Sequence, residues 1–217
     1  MLSEIAQPSH LATASQMLMP LTQFALLATF MAAMIGSPGP ANMALVASGL
    51  AFGVRPVLPF MLGTMSGFQM IFWLNALGLF ALLQSAPAVF QILRWLCIGY
   101  ILYLAWLIVR ARPKTTQAGA APGFWRGFWV HPLNPKAYAM QVAALSQFVS
   151  ADRFLSDAMV VSITSLLLGS VLNSLWLCGG SLMRASTGDG RILRGLNIAL
   201  AALMVGSTIT SLQMIPG

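Results

Sequence analysis

Long apolar stretches separated by short polar connectors limit the folds open to this chain more than any other feature. Six such stretches occur, at residues 20–50, 57–83, 89–109, 127–149, 158–183 and 195–214. A helix needs about 20 apolar residues to cross a bilayer, whereas membrane β-strands alternate in hydrophobicity over about ten residues. The pattern therefore predicts an all-α integral membrane protein with six transmembrane helices.

The composition leads to the same class of protein. Of the 217 residues, 58% are hydrophobic and only 7% are charged, whereas about 25% of the residues in a soluble domain are charged. The chain has eleven basic and four acidic residues. We interpret this basic excess as a determinant of membrane topology. The expected surroundings are membrane lipid, and no nucleic-acid partner is expected.

The basic residues lie mainly on one side of the six predicted spans. The loops after the first, third and fifth spans contain eight of them: Arg55, Arg110, Arg112, Lys114, Arg126, Arg184, Arg191 and Arg194. The other side has Arg153, and Arg94 lies just inside the third span. Because basic loops stay in the cytoplasm, this bias predicts that both termini lie on the outer side of the plasma membrane.

The connector at 110–126 is the longest in the chain, and its Pro, Gly, Ala and Thr content predicts a flexible cytoplasmic linker. The chain is then a single membrane domain, 1–217, that begins with a weakly ordered tail at 1–19. Three helices form each half, 20–109 and 127–217. Halves with an odd number of spans have opposite orientations if they are related. This predicts two inverted repeats, an arrangement that is common among secondary transporters.

Two of the apolar segments contain prolines beside small polar residues, SPGP at 37–40 and LNPK at 133–136. Proline interrupts a helix, and such breaks are tolerated in a membrane where they are buried in protein or line a watery cavity. Each break also creates a helix N-terminus, whose positive dipole end attracts carboxylates. We expect Pro40 and Pro135 to begin new helices and Asn134 to cap the second one.

Lys136 lies well inside the fourth apolar segment. A lysine at the centre of a membrane helix costs about 2.5–3.5 kcal/mol on insertion scales. In one interpretation its cation lies beside two helix N-termini, in a cavity lined by Asn42 and Asn134. Such a cavity attracts a small anion or the carboxylate of a zwitterion. In the alternative, the helix begins near residue 134 and Lys136 only anchors it at the cytoplasmic interface.

Other small and polar residues within the spans are assigned to helix packing. Two pairs of glycines four residues apart predict close helix contacts, namely Gly49 with Gly53 and Gly63 with Gly67. Three amide side chains also lie in the spans: Gln69, Asn75 and Asn173. We interpret them as interhelical hydrogen-bonding groups, and contact with a substrate stays open for each of them. Asn173 is also included among the residues predicted along the transport path.

The sequence carries no signature of an enzyme, a metal site or a cofactor. Its two histidines, His10 and His131, form no HExxH motif, and no GxxxxGK[ST] phosphate-binding loop is present. Cys97 and Cys178 form no CxxC motif. Two alternatives to transport stay open, a thiol-redox membrane protein that uses both cysteines and a membrane scaffold that transports nothing.

Three segments resemble the LysE/RhtB family of amino-acid exporters. SPGPANMALVASGLAFGVRPVLPFMLGTMSG (37–67) is similar to the first signature of that family, with a Pro-Gly-Pro followed by spaced glycines. LRWLCIGYILYLAWLIVRAR (93–112) is similar to its third span, and GFWRGFWVHPLNPKAYAM (123–140) is similar to its second signature, centred on Asn-Pro-Lys. The likeness covers nearly the whole chain, in order and in spacing.

The resemblance implies a secondary transporter that exports amino acids or close derivatives across the bacterial inner membrane, driven by the proton motive force. It carries over two motifs, Pro38, Gly39 and Pro40 in the first, and Asn134, Pro135 and Lys136 in the second. Lys136 then binds the substrate carboxylate, or holds the two broken helices in register. The resemblance leaves open which amino acid is exported and whether the protein is a homodimer.

This chain departs from the family pattern at several positions. Cys97 and Ala105 stand where glycines are expected, and His131 replaces a more usual asparagine. Asn173 is the best match to an aspartate that many members carry in the fifth span, and an amide cannot release a proton. The proton-coupling group therefore stays open, with Lys136 as one substitute. The change is also compatible with a substrate that has no free cationic group.

Overall fold

A computed structural model describes residues 19–78, 85–110, 120–186 and 190–214. All regular elements in these ranges are helical. They are α1 (Leu21–Gly36), α2 (Pro40–Phe52), α3 (Val54–Ala76), α4 (Pro87–Arg110), α5 (Phe124–Phe128), α6 (Pro135–Phe148), a 3₁₀ turn (Ala151–Arg153), α7 (Phe154–Ser186) and α8 (Gly190–Met214).

Parts of several predicted segments lie outside the described residues. The tail predicted at 1–19 does so except for Met19, and so do the end of the second apolar segment and residues 111–119 of the connector. The flexible linker therefore stays a prediction. The last residues of that connector are described, and they begin α5.

Three helical stretches are long and apolar enough to cross a membrane, Val54–Ala76, Gln91–Arg110 and Ala151–Met183. A fourth candidate span is the pair α1 and α2, which are bent by 54° at the break between them. The predicted all-helical class is therefore confirmed for the described residues, and the candidate spans agree with a membrane protein. Six spans in two inverted repeats stay a prediction, since neither α8 nor the pair α5 and α6 is among these candidates.

The first apolar segment is broken where its prolines predict. α1 ends at Gly36, and Pro40 is the first residue of α2. Between them the chain is extended, with ψ of 146° at Ser37 and φ of −164° at Gly39. Proline suits the first turn of a helix because the N–H that it lacks has no partner there. The break therefore ends one helix and starts another within a few residues.

The fourth apolar segment is also interrupted, so residues 127–149 are not one continuous helix. The short α5 ends at Phe128, a turn follows, and α6 begins at Pro135. Asn134 provides the predicted cap, since its side-chain oxygen accepts a hydrogen bond from the backbone N–H of Lys136 at 3.1 Å. α6 therefore begins where the second interpretation of Lys136 expected a helix to begin, near residue 134.

Glycines allow α5 to lie directly against α3. A Cβ atom on Gly63 would overlap the backbone carbonyl of Phe124, and one on Gly67 would overlap that of Phe128. Gly127 of α5 makes the same kind of contact with the backbone of α3. Such small residues let two helix backbones approach closely in a membrane. The contacts fix α5 alongside the middle of α3.

A second close contact joins α2 to α7. A Cβ atom on Gly49 would overlap the carbonyl oxygen of Leu177, and one on Gly180 would overlap that of Val46. The packing contact predicted for Gly53 stays a prediction, but its backbone conformation is clear. It joins α2 to α3 with φ of 79°, in the left-handed region that glycine adopts at little cost. The chain therefore passes from α2 to α3 through a single residue.

The main apolar core lies among α2, α3, α4, α7 and α8. Its most buried large side chains include Leu45, Phe60, Ile101, Leu177 and Met204. Large apolar side chains also cover the outside of the bundle, with Trp95 on α4 68% exposed and Leu167 on α7 62% exposed. Such an extensive apolar surface is typical of helices that face lipid.

Amide side chains connect α3 to its neighbours, as predicted for Gln69 and Asn75. Gln69 Nε2 donates to the backbone oxygen of Ser162 on α7 at 3.1 Å, and Ser162 Oγ donates back to Gln69 Oε1 at 2.7 Å. Asn75 Nδ2 donates to Gln141 Oε1 on α6 at 2.8 Å. These bonds hold α6 and α7 at a fixed level along α3.

A buried carboxylate organises the connection between α6 and α7. Asp157 is fully buried, and its Oδ2 accepts hydrogen bonds from the backbone N–H and the Oγ of Ser150, both at 3.1 Å. Its Oδ1 lies 3.4 Å from Nε of Arg153. These contacts close the short loop that precedes α7.

We expect Gly63→Ala to destabilise the protein by about 1–3 kcal/mol, the usual cost of overpacking, because the added methyl group must displace α5. The measurement is the thermal unfolding midpoint in detergent. Gly99→Ala is the matched control, since a Cβ atom added to Gly99 would meet no neighbouring side chain or helix within 4 Å. Equal midpoints for the two variants would contradict the close contact between α3 and α5.

We expect Asp157→Ala to lower the free energy of unfolding by about 1–3 kcal/mol, because the backbone N–H of Ser150 loses its acceptor. The same thermal unfolding assay measures this loss. Asp152→Ala is the control, because Asp152 is exposed in the neighbouring 3₁₀ turn. If both variants melted like the wild type, the loop would not depend on the carboxylate.

Candidate functional site

A cavity of about 60 Å³ that opens to solvent lies where α2 and α6 begin. Its polar lining residues are Asn42, Gln69, His131, Asn134, Lys136, Ser165 and Asn173. Its apolar lining includes Met34, Met65, Phe68 and Met140. The cavity therefore brings both helix breaks to one place.

Two helix N-termini face this cavity from opposite halves of the sequence. Gly39 and Pro40 at the start of α2 line it, as does Asn134 at the start of α6. The two starts are close together, since a Cβ atom on Gly39 would lie 3.0 Å from Nζ of Lys136. A helix N-terminus carries a partial positive charge. This end of the cavity is therefore electropositive.

The ammonium group of Lys136 is bonded to the first break. Its Nζ donates to Ser37 Oγ at 2.7 Å, to the Ser37 carbonyl at 2.9 Å and to the Pro38 carbonyl at 3.3 Å. An ammonium has three N–H donors, so each has an acceptor here. Because these carbonyls follow the C-terminal end of α1, they also favour a cation. Lys136 therefore connects the start of α6 to the break between α1 and α2.

Asn42 supports the same break from within α2. Its Nδ2 donates to the carbonyl of Ile35 at 2.8 Å and to that of Ser37 at 2.9 Å. The last carbonyls of a helix have no partner inside it and need one from elsewhere. Asn42 is 5% exposed, so water has little access to replace it. The amide therefore satisfies the end of α1.

Lys136 lies far from the end of α3 that carries Arg55. The turn before α6 follows Phe128, whose backbone lies against Gly67 of α3. At 1.5 Å per residue, Gly67 lies about 20 Å along α3 from its first residue. The half-buried Lys136 follows that turn. α6 therefore begins near residue 134, as the alternative with Lys136 as an interface anchor expects. However, Lys136 lies so far from the Arg55 end of α3 that a position inside the bundle is favoured.

Two polar lining residues have atoms without partners. Asn173 on α7 is 5% exposed, and no described residue forms a hydrogen bond with its amide. Nδ1 of His131 is buried and has no hydrogen-bond partner among the described residues. The imidazole ring lies edge-on to Phe68, with 5.2 Å between the ring centroids. Both residues form part of the cavity lining.

Six of the eight predicted site residues line the cavity: Gly39, Pro40, Asn42, Asn134, Lys136 and Asn173. Pro38 and Pro135 do not line it but form the two breaks. The sequence interpretation did not assign His131 to the site, although its place three residues before Asn134 was an available signal. Within the described ranges, no group of three or more His, Cys, Asp or Glu side chains could hold a metal ion.

Comparison with known proteins identifies the family. The cysteine/O-acetylserine efflux protein of Salmonella typhimurium strain LT2 is 34% identical over 172 residues, which cover 78% of this chain and 87% of that protein. The protein of the same name from Escherichia coli strain K12 is 32% identical over 171 residues, with the same coverage. No solved structure matches the chain.

The family model for LysE type translocators matches residues 32–212, which include both helix breaks and the whole lining of the cavity. This match and the two efflux proteins agree with the resemblance read from the Pro-Gly-Pro and Asn-Pro-Lys motifs. The chain therefore belongs to the LysE type translocator family, whose members are membrane transporters rather than enzymes.

Proposed function

We propose that this protein is a secondary transporter that exports small neutral amino acids or close derivatives across the bacterial inner membrane. The observation that carries the proposal is the electropositive cavity in which both broken helices begin. The names of the relatives, cysteine/O-acetylserine efflux proteins, support substrates of this size and charge. Cysteine and O-acetylserine are therefore the first substrates to test.

The cavity suits the carboxylate end of an amino acid. Lys136 and the N-termini of α2 and α6 provide positive charge there, and backbone N–H groups at a helix start bind anions. The proposed path consists of Pro38, Gly39, Pro40, Asn42, Asn134, Pro135, Lys136 and Asn173. Its described lining contains no acidic side chain and several methionines. This lining favours an uncharged substrate side chain over that of lysine or arginine.

The hydrogen bonds of the Lys136 ammonium suggest how substrate binding could change the conformation in the proposed transport cycle. Its three donors are engaged by Ser37 and Pro38, so a substrate carboxylate must compete with these acceptors. When the carboxylate takes one or more of the donors, α6 is released from the break between α1 and α2. A ligand shifts a conformational equilibrium only through such differential contacts. Substrate binding would thus loosen the joint between the two halves.

The remaining parts of the proposal concern topology and energy. Six spans in two inverted repeats would place both termini outside, with lipid against the exposed apolar faces, and a homodimer would cover part of those faces. The start of α3, with Arg55, and the end of α4, with Arg110, would lie on the cytoplasmic side. The proton motive force would drive export, with Lys136 as the candidate coupling group.

The two alternatives have less support. Cys97 is buried in α4 and Cys178 is half-buried in α7, both are free thiols, and neither lines the cavity. A thiol relay through this cavity would need at least one of them there. A scaffold that transports nothing would have no need for a lysine and several other polar side chains around a cavity.

We expect inverted membrane vesicles that contain the protein to take up labelled cysteine or O-acetylserine when a proton gradient is imposed. Labelled lysine should not be taken up. Lys136→Ala should reduce the uptake about tenfold or more, because charge-assisted hydrogen bonds to the carboxylate are lost. Uptake with and without the gradient, for both proteins, checks this expectation.

Gly99→Ala serves as the control for expression and insertion, since Gly99 lies outside the cavity. If no amino acid entered the vesicles although the protein was folded and correctly oriented, the proposed function would be wrong. Equal uptake without a gradient would refute the proton coupling alone and indicate a passive channel.

We expect Asn42→Leu to destabilise the protein by about 1–3 kcal/mol, because the carbonyls of Ile35 and Ser37 lose a buried donor. Leucine has the same branching pattern of side-chain heavy atoms as asparagine, so the change removes the hydrogen-bond donor and keeps the shape of the side chain. Thermal unfolding in detergent provides the measurement. Thr29→Val is the control, since Thr29 makes an exposed bond within α1. An unchanged midpoint for Asn42→Leu would show that the first break does not depend on these bonds.

A further inference from the structure

A second cavity, separate from the one at the helix breaks, lies toward the other end of α2. It has a volume of about 250 Å³, and none of its described lining residues also lines the first cavity. Its walls are formed by α2, α3 and α4, and by α5 with the residues just before it. The proposed transport path does not include it, so its occupant needs a separate explanation.

The described wall of this second cavity is apolar apart from Ser48 and two arginines. Its apolar lining includes Ala44, Ala47, Ala51, Phe60 and Leu104. The small side chains of α2 leave room between this helix and α4. Burying hydrocarbon in such a space is favourable without any hydrogen-bond partner. The wall therefore suits an apolar chain.

The two arginines are Arg110, at the end of α4, and Arg126 on α5. Both residues are exposed, so they lie where the cavity opens. Neither forms an ion pair with a residue that the structure describes. The connector between them, 111–119, contains Arg112 and Lys114 but no acidic residue. The open end of the cavity therefore carries positive charge that the adjoining chain does not neutralise.

Arg110 is held in place by an aromatic ring. Its Cζ lies 4.3 Å from the ring centroid of Trp106. This cation–π contact uses the face of the planar guanidinium, whereas the N–H donors lie in its plane. Arginine binds phosphate through these in-plane donors, often two at a time. Trp106 therefore positions Arg110 and leaves its donors available to an anion.

Contacts with two helices fix the backbone of Arg126. The backbone of the next residue, Gly127, lies against that of Phe60 on α3. Tyr100 on α4 donates a hydrogen bond to the Arg126 carbonyl at 2.8 Å. Phe60 lies about 9 Å along α3 from its first residue. In the proposed topology, the backbone of Arg126 is therefore below the cytoplasmic surface, where a cation without an anionic partner is costly.

Exposed tryptophans accompany both arginines. Trp106, under Arg110, is 48% exposed, and Trp125, next to Arg126, is 69% exposed. Tryptophan is enriched where membrane proteins meet the headgroup region of the bilayer. The open end of the cavity therefore has the aromatic surroundings typical of contact with lipid headgroups.

We propose that this second cavity binds an anionic phospholipid of the cytoplasmic leaflet. Arg110 and Arg126 hold the phosphate headgroup, and an acyl chain lies along the apolar wall between α2 and α4. Basic pockets between transmembrane helices on the cytoplasmic side bind anionic headgroups in this way. The bound lipid contacts several helices of the folded protein and stabilises it. The site is independent of the solute that is exported.

The test compares dioleoyl phosphatidylglycerol with dioleoyl phosphatidylcholine, which have the same acyl chains and differ in headgroup charge. Native mass spectrometry of the purified full-length protein in detergent measures the fraction with bound lipid over a range of lipid concentrations. The wild type should bind phosphatidylglycerol about fivefold or more tightly than phosphatidylcholine, because only the former has a net negative charge.

The double variant Arg110→Gln, Arg126→Gln should lose this preference. Arg55→Gln is the matched control and should keep it. Arg55 is exposed at the start of α3, on the same predicted side of the membrane, but it does not line the cavity. Because the preference is a ratio of two affinities, a general loss of stability could not produce this difference between the variants.

A further variant tests whether the lipid enters the cavity. Ser48 is half-buried in the wall, so Ser48→Phe fills part of the space while both arginines remain. It should bind phosphatidylglycerol about fivefold more weakly than the wild type. Ser48→Ala keeps the cavity open and should bind it like the wild type. Thermal unfolding midpoints without added lipid check that both variants are folded.

The other outcomes would overturn the proposal. If the double arginine variant keeps the preference, anionic lipid binds elsewhere, and equal affinity of the wild type for both lipids would mean that no such site exists. Unchanged binding by Ser48→Phe would place the lipid outside the cavity. If inorganic phosphate displaces phosphatidylglycerol as completely as excess lipid does, the arginines bind a free anion instead. None of these results changes amino-acid uptake, so the proposed function is tested separately.

Discussion

The hydrogen bonds between the Lys136 ammonium and the break after α1 are the contact on which the centre of this protein depends. They join residues that are far apart in sequence, with Nζ at 2.7 Å from Ser37 Oγ and 2.9 Å from the Ser37 carbonyl. Two interrupted helices need partners for their exposed backbone groups, and a bilayer provides none. One cation binds the carbonyls of the break after α1 and places positive charge beside the starts of α2 and α6.

Close backbone contacts hold these interrupted helices in place. Gly63 and Gly67 admit α5 against α3, and Gly49 and Gly180 admit α2 against α7. Neither α2 nor α6 is long enough to be a candidate span alone, so each relies on its neighbours for position. The hydrogen bond from the Asn75 side chain to Gln141 on α6 adds to this support. The helices around the cavity are thus held in position along the bundle by contacts with several neighbours.

The sequence predicted the local features of the site well, because they follow from short-range chemistry. Proline fixed both breaks, and Asn134 was recognisable as a cap from its place before Pro135. The left-handed backbone of Gly53, with φ of 79°, was not predicted, because the spacing of two glycines carries no information about backbone angles. The lining role of His131 was missed because a lone histidine near a break has many uses.

Composition and apolar segment length alone determined that the chain is helical and membrane-bound, and two motifs alone located the helix breaks and the family. These properties depend on residues close in sequence and on the cost of exposing backbone to lipid. Only the tertiary structure decided that Lys136 reaches Ser37, that Asn42 supports the end of α1, and that Asn173 faces the cavity without a described partner. Those contacts depend on how α6 and α7 pack along α3, and local sequence does not encode that geometry.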